Sequence, residues 1–243
     1  MAIYGYSERG IINSLIFAIG DNVQLMTDFI NSINILKPFD IGVPESYDVL
    51  LEQSFSRFGS ADLVIIIKYN NSLQTNKVLF IEGKVKTSQK TYWNLENQYK
   101  EFEKRDSTNS SNLFFQLHLK KLLIENTQEI ENTIHSKEQV VINELWYQTK
   151  RKIGKNTIVE KAFNMVKVCE AYYIGLIPSS TKDITTFTNK INNKDNDAIE
   201  HNIHFLSWHT VKNFCDKQKH KRVFENVILN FEYNENQIFN EFI

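Results

Sequence analysis

Asp62, Glu82 and Lys84 are the residues whose types and spacing most directly specify chemistry in this chain of 243 residues. They lie in the stretch from Ser56 to Lys86, SRFGSADLVIIIKYNNSLQTNKVLFIEGKVK. Two apolar runs, Ala61 to Ile67 and Lys77 to Val85, flank a polar Asn/Ser/Gln turn and read as a β-hairpin. Successive side chains of a strand point to opposite faces, so Glu82 and Lys84 share a face with Val78 and Phe80, while Ile81, Gly83 and Val85 take the other. A carboxylate and an ammonium thus project from a strand apolar enough to be buried. An unpaired charge is costly to desolvate, so such groups are paired, metal-bound or functional. Asp62 opens the neighbouring strand after Gly59-Ser60, and hairpin pairing brings its carboxylate toward Glu82. Two carboxylates supply the oxygen ligands a hard divalent ion takes, and such an ion neutralises phosphate and lowers the pKa of bound water. A lysine beside them can position that water or stabilise transition-state charge, so the trio suits phosphodiester hydrolysis. The alternative is an exposed cross-strand ion pair on an edge strand, with Asp62 as a turn residue.

Asp62 at a strand start, followed in the next strand by Glu82-Gly83-Lys84, resembles the signature of the PD-(D/E)XK nuclease superfamily. Ala61 stands where the family name puts proline, and the resemblance covers mainly Ser7 to about Phe102. It implies an α/β, restriction-endonuclease-like fold with a mixed central sheet flanked by helices. It also implies Mg²⁺ or Mn²⁺ held by Asp62 and Glu82 with the Gly83 carbonyl, and Lys84 acting on the attacking water. Many members carry a glutamate on the helix before the core sheet that completes the metal shell, and Glu8 in Ser-Glu-Arg-Gly matches that placement. A first-turn carboxylate complementing the helix dipole is the other explanation of Glu8. Gln98-Tyr99-Lys100-Glu101-Phe102 resembles the Gln-x-x-x-Tyr element of a subset of the superfamily, with Phe102 in the aromatic place. Gln98, Arg57 and Lys86 are the expected substrate contacts, and Arg9 is a second candidate phosphate clamp. The implied function is a metal-dependent DNA endonuclease of restriction or phage-defence type, with a homodimer expected by analogy of fold. An RNA-directed nuclease and an inactive nuclease-fold binding module are the alternatives.

Length and composition set the limits around that reading. The chain suffices for one sizeable core, so residues 1–243 are expected to form one domain. With 28 Lys and Arg against 29 Asp and Glu there is no basic arm, which weakly disfavours nucleic acid as partner unless folding or a metal supplies the positive charge. Cys169 and Cys215 lack partner spacing and fit a reducing cytoplasm. No signal peptide or membrane span is expected, since the apolar stretch from Ile11 to Ile19 is short and amphipathic.

The remaining elements must position the trio. Tyr4 to about Asn34 reads as one long or two short helices with Ser7 as N-cap. Lys37-Pro38-Phe39-Asp40 and Gly42-Val43-Pro44 form a loop, and Asp48 to Phe55 supplies a strand in which Glu52 is a further candidate acidic ligand. Helices are expected over Trp93–Lys104, Asn112–Asn126, Lys137–Arg151 and Asn156–Val168. The Lys120-Lys121 pair and the basic turn Lys150 to Lys155 are candidate backbone contacts. Ala171–Ile177 and Ile203–Trp208 read as buried strands, separated by a short helix and loop over Lys182–Asp197, and His209–Lys217 as a closing helix. His201, His204 and His209 cluster, but the glycine turns and second ligand pair of a zinc-bound His-Asn-His nuclease are missing. No phosphate loop, dinucleotide fingerprint or nucleophile elbow is present.

Overall fold

In a computed structural model the structure describes residues 1–33, 39–71, 73–87, 90, 92–104, 111–134, 140–143, 148–151, 153, 156–192 and 203–240. The helices are α1 (Ser7–Ile19), α2 (Val23–Ser32), α3 (Leu95–Glu103), α4 (Leu113–Glu125), α5 (Thr127–Thr133), α6 (Thr157–Val166), α7 (Thr181–Asn192), α8 (Trp208–Lys217), α9 (Glu225–Tyr233) and α10 (Glu235–Ile238). The strands are β1 (Ser46–Ser54), β2 (Ser60–Lys68), β3 (Lys77–Gly83), β4 (Val140–Asn143), β5 (Gln148–Arg151), β6 (Glu170–Ile177) and β7 (Ile203–Ser207). Asparagine begins several of the helices. Asn22, Asn94, Asn112 and Asn156 each accept a backbone N–H of the first turn of α2, α3, α4 and α6, satisfying donors that have no partner inside the helix.

Five strands make a mixed sheet in the order β1-β2-β3-β6-β7. β1, β2 and β3 are antiparallel neighbours, whereas β3, β6 and β7 run parallel. β2 and β3 are buried on both faces, which is why both read as unbroken apolar runs. Val64, Ile66, Val78, Phe80, Tyr173 and Ile177 face a core closed by α3, α4, α6 and α7. Leu63, Ile65, Leu79, Ile81, Ile174 and Leu176 face a second core closed by α1, α2, α8 and α9. The architecture is therefore α/β with helices on both faces of a mixed sheet, in agreement with the expected class. No described helix is long and apolar enough to cross a membrane.

The N-terminal helical region divides in two because Gly20 takes φ +59 and ψ −139 at the end of α1, a backbone conformation that glycine reaches readily and that a helix cannot continue through. The helix expected over Lys137–Arg151 is a correction. That segment contains an antiparallel β4–β5 pair with Val140 opposite Arg151, and the β-branched run Val140-Val141-Ile142 favours strand over helix. The basic turn Lys150 to Lys155 begins in β5, and three of its six residues lie outside the described residues, as does His201.

Candidate active site

The register of β2 on β3, Leu63 opposite Ile81 through Ile67 opposite Lys77, sets Asp62 opposite Glu82 when continued by one step. The ladder stops there. Instead the Gly83 N–H donates to Asp62 Oδ2 at 2.8 Å, so a carboxylate takes the place of the backbone acceptor where the strands part. The other edge of β3 stays tied. Glu82 and Gly83 pair with Gly175 and Leu176 of β6, the Lys84 N–H donates to the Leu176 carbonyl at 2.8 Å, and the Lys84 carbonyl accepts Trp208 Nε1–H at 2.9 Å. The backbone beneath Glu82 and Lys84 is thereby held from β6 and α8.

Lys84 Nζ donates to Glu82 Oε1 at 2.9 Å, with the two side chains only 14% and 7% exposed. It also donates to Gln116 Oε1 on α4. One turn further along α4, Lys120 is 1% exposed and its Nζ donates to the Gln116 carbonyl at 3.4 Å. Residues four apart share a helix face, and that face lies over the parted strands. Gly59, at φ +79, leaves the room Lys120 needs, because a Cβ there would come within 2.9 Å of its Nζ.

Glu8 arrives from the opposite face of the sheet. Ser7 and Glu8 open α1, Ser7 Oγ donates to Glu8 Oε2, and the Ser7 N–H is anchored on Asn234 Oδ1 at 2.7 Å. Gly83 is what lets Glu8 reach the strand end: a Cβ on it would sit 3.0 Å and 3.1 Å from Glu8 Cβ and Cγ. Gly83→Val is expected to destabilise the fold by about 1–3 kcal/mol through overpacking. In a Glu8→Gly background most of that loss should vanish, and a double-mutant cycle of denaturant unfolding measures it. Equal losses in both backgrounds would mean that Glu8 does not occupy the space.

Electrostatics follow from burial. Glu82 is pushed up to about 7, first by desolvation and further by Asp62, against the opposing charges of Lys84 and Lys120. Desolvation also raises Asp62, opposed chiefly by the Gly83 hydrogen bond and then by Lys84, Arg9 and Lys120. Glu8 is raised by desolvation and by Asp62, opposed by its backbone hydrogen bond, Lys84 and Arg9. Burial lowers Lys120 to about 8, with Glu82 acting to raise it again. Three carboxylates and two lysines so disposed form one coupled cluster.

Of the expected site residues, Asp62, Glu82, Gly83, Lys84 and Glu8 come together. Gln98 does not join them: its Oε1 accepts the Leu113 N–H at 3.1 Å and its carbonyl accepts Asn112 Nδ2–H at 2.8 Å. It therefore fastens the start of α4, and Gln116 supplies the amide at the site. Lys86 is 2% exposed, with its N–H on the Gln237 carbonyl at 2.7 Å, an inward position for an expected substrate contact. Arg57 is exposed on the 3₁₀ turn Ser56–Phe58 that leads into β2. His204 packs by Tyr172, and His209 stacks on Phe239 with ring centroids 4.1 Å apart. Both cysteines are free and buried.

Gln116 and Lys120 were not among the expected catalytic residues. Their signal was present: α4 carries Leu113, Phe114, Leu117, Leu119, Leu122 and Leu123, apolar around most of its circumference, and a helix apolar on all sides is a buried one. A lysine inside such a helix is buried with it.

Among the described residues no group of three His, Cys, Asp or Glu side chains is placed to hold a metal ion. The donor chemistry fits one nonetheless. Asp62 Oδ1 and Glu82 Oε2 are hard oxygens that accept no hydrogen bond from the described residues, and a Mg²⁺-like ion retains several waters beside one or two carboxylates. The fold and site thus define an α/β protein with a buried carboxylate–lysine cluster at the end of its central hairpin. Comparison with protein-family models, curated proteins and solved structures finds no match for the chain.

Proposed function

We propose that this chain is a metal-dependent nuclease that hydrolyses phosphodiester bonds in DNA, with the restriction-endonuclease-like arrangement that its Asp62 and Glu82-Gly83-Lys84 resemble. The observation that carries the reading is the bond from the Gly83 N–H to Asp62 Oδ2, which gathers Asp62, Glu82 and Lys84 where β2 and β3 part. Asp62 and Glu82, with the Gly83 carbonyl, would hold Mg²⁺ or Mn²⁺, which when bound neutralises phosphate charge and acidifies a water. Lys84, oriented between Glu82 and Gln116, holds the attacking water and offsets the charge that develops on the phosphate. Glu8 closes the site from α1. Restriction or phage defence in the cytoplasm, acting as a homodimer, is the setting that suits a small nuclease of this kind.

The test is incubation of the purified protein with plasmid DNA and Mg²⁺ or Mn²⁺, beside a folded Asp62→Ala variant, with an RNA of mixed sequence in parallel. Metal-dependent cutting that Asp62→Ala lacks supports the reading, and cutting confined to RNA redirects it to RNA. No cutting of either nucleic acid together with no metal binding by calorimetry overturns it.

A further inference from the structure

Glu52 is one of three non-glycine residues with positive φ among the described residues, beside Ser7 and Ser56. β1 pairs with β2 through Leu51 opposite Leu63 and Gln53 opposite Ala61, so Glu52 stands in register with Asp62, yet it is left out of the ladder. Its φ is +50, in the left-handed region that residues with a Cβ rarely occupy. Its carboxylate is turned to α1: Arg9 Nη1 lies 3.4 Å from Glu52 Oε2, and Asn13 Nδ2 donates to Glu52 Oε1 at 3.4 Å.

Arg9 follows Glu8 directly, and its charge acts on both Glu8 and Asp62. It is therefore in range of two site carboxylates while paired with a third on a distorted strand. The pair is open to solvent, with side chains 60% and 42% exposed, and an exposed ion pair contributes little net stability. It is accordingly cheap to exchange. A guanidinium offers a planar fork that suits phosphate at least as well as carboxylate.

Resting on the nuclease reading above, we propose that Arg9 is a backbone-phosphate contact for the nucleic-acid strand entering the site, and that Glu52 is its resident stand-in for phosphate. Glu52 holds the guanidinium at the mouth of the site while no strand is bound, which keeps it near Glu8 and Asp62. An arriving phosphate takes Arg9 from Glu52. The exchange links strand binding to the strained segment of β1 opposite Asp62.

The test is fluorescence anisotropy with a short labelled DNA duplex in Ca²⁺ across a range of salt concentrations, for wild type, Arg9→Gln, Glu52→Gln and the double variant. Glu52→Gln is expected to bind about 3- to 10-fold more tightly. Arg9→Gln is expected to bind about 3- to 10-fold more weakly, with the slope of log Kd against log salt reduced by about one. The double variant should match Arg9→Gln, because Glu52 acts through Arg9. If Glu52→Gln tightens binding equally without Arg9, its effect is general surface charge and the exchange is overturned. Wild-type affinity in both single variants overturns it too and leaves the nuclease reading standing. A wild-type protein that neither binds nor cuts DNA or RNA overturns both.

Discussion

Lys84→Met is expected to lower the single-turnover rate of DNA cleavage by about 10²- to 10⁴-fold, the range of a positioned proton-transfer or charge-stabilising group. The backbone of residue 84 is held by the Leu176 carbonyl and by Trp208, not by the lysine side chain, so the strand end should survive the change. Methionine fills most of the volume without the ammonium. Two consequences separate loss of chemistry from loss of structure. Glu82 loses the largest influence that keeps it ionised, so its titration moves above about 7 and the acid limb of the residual rate moves with it. Lys84→Arg retains the charge but replaces a compact ammonium by a broad fork in a space shared with Glu82 and Gln116, and it should recover charge-dependent metal and DNA binding more than turnover. Cleavage by Lys84→Met within twofold of wild type would remove Lys84 from the catalytic role.

The hairpin was legible because its signal is local. Alternation along β3 placed Glu82 and Lys84 on one face, and the structure sets that face under α4 while Ile81 joins the opposite core. Glu8 was legible only through resemblance; its reach to the strand end depends on Gly83 lacking a side chain and on Ser7 being anchored to Asn234, a contact 227 residues away in the chain. Gln98 and Gln116 show where pattern fails. Both are amides on amphipathic or apolar helices, and only the tertiary placement of α4 decides that one fastens a helix start while the other meets Lys84. The segment expected as helix over Lys137–Arg151 failed for a different reason: the β-branched run Val140-Val141-Ile142 has strand propensity, and Val140–Asn143 pairs with Gln148–Arg151. The strain at Glu52 left no trace in sequence, since a glutamate in a strand carries no mark of a left-handed backbone.

The buried charges themselves predict an unusual pH dependence of stability, measured by denaturant unfolding in the presence of a chelator. Glu82 titrates near 7 in the folded protein against an ordinary 4.5. Between those values the folded state keeps a proton that the unfolded chain releases, so stability falls as pH rises from about 4.5 to about 7, by about 3 kcal/mol for this group. Lys120 titrates near 8 against an ordinary 10.5. Between those values the unfolded chain keeps the proton, so stability rises with pH across that window. The two opposing contributions put a minimum in the stability profile between about pH 7 and 8, where the folded protein must carry both the Glu82 carboxylate and the Lys120 ammonium away from water. Glu82→Gln should remove the largest part of the fall on the acid side and leave the smaller part that the raised Asp62 and Glu8 contribute. It should also start the Lys120 rise at lower pH, because the Glu82 carboxylate is the main influence favouring the lysine's charge. Addition of Mg²⁺ or Mn²⁺ should raise stability most above pH 7, where Glu82 is ionised and able to bind a cation, and the gain should fade as protons compete below it. A wild-type profile without the fall between pH 5 and 7, or one that Glu82→Gln leaves unchanged, would mean that Glu82 reaches water and that the site is not the buried carboxylate–lysine cluster its geometry describes.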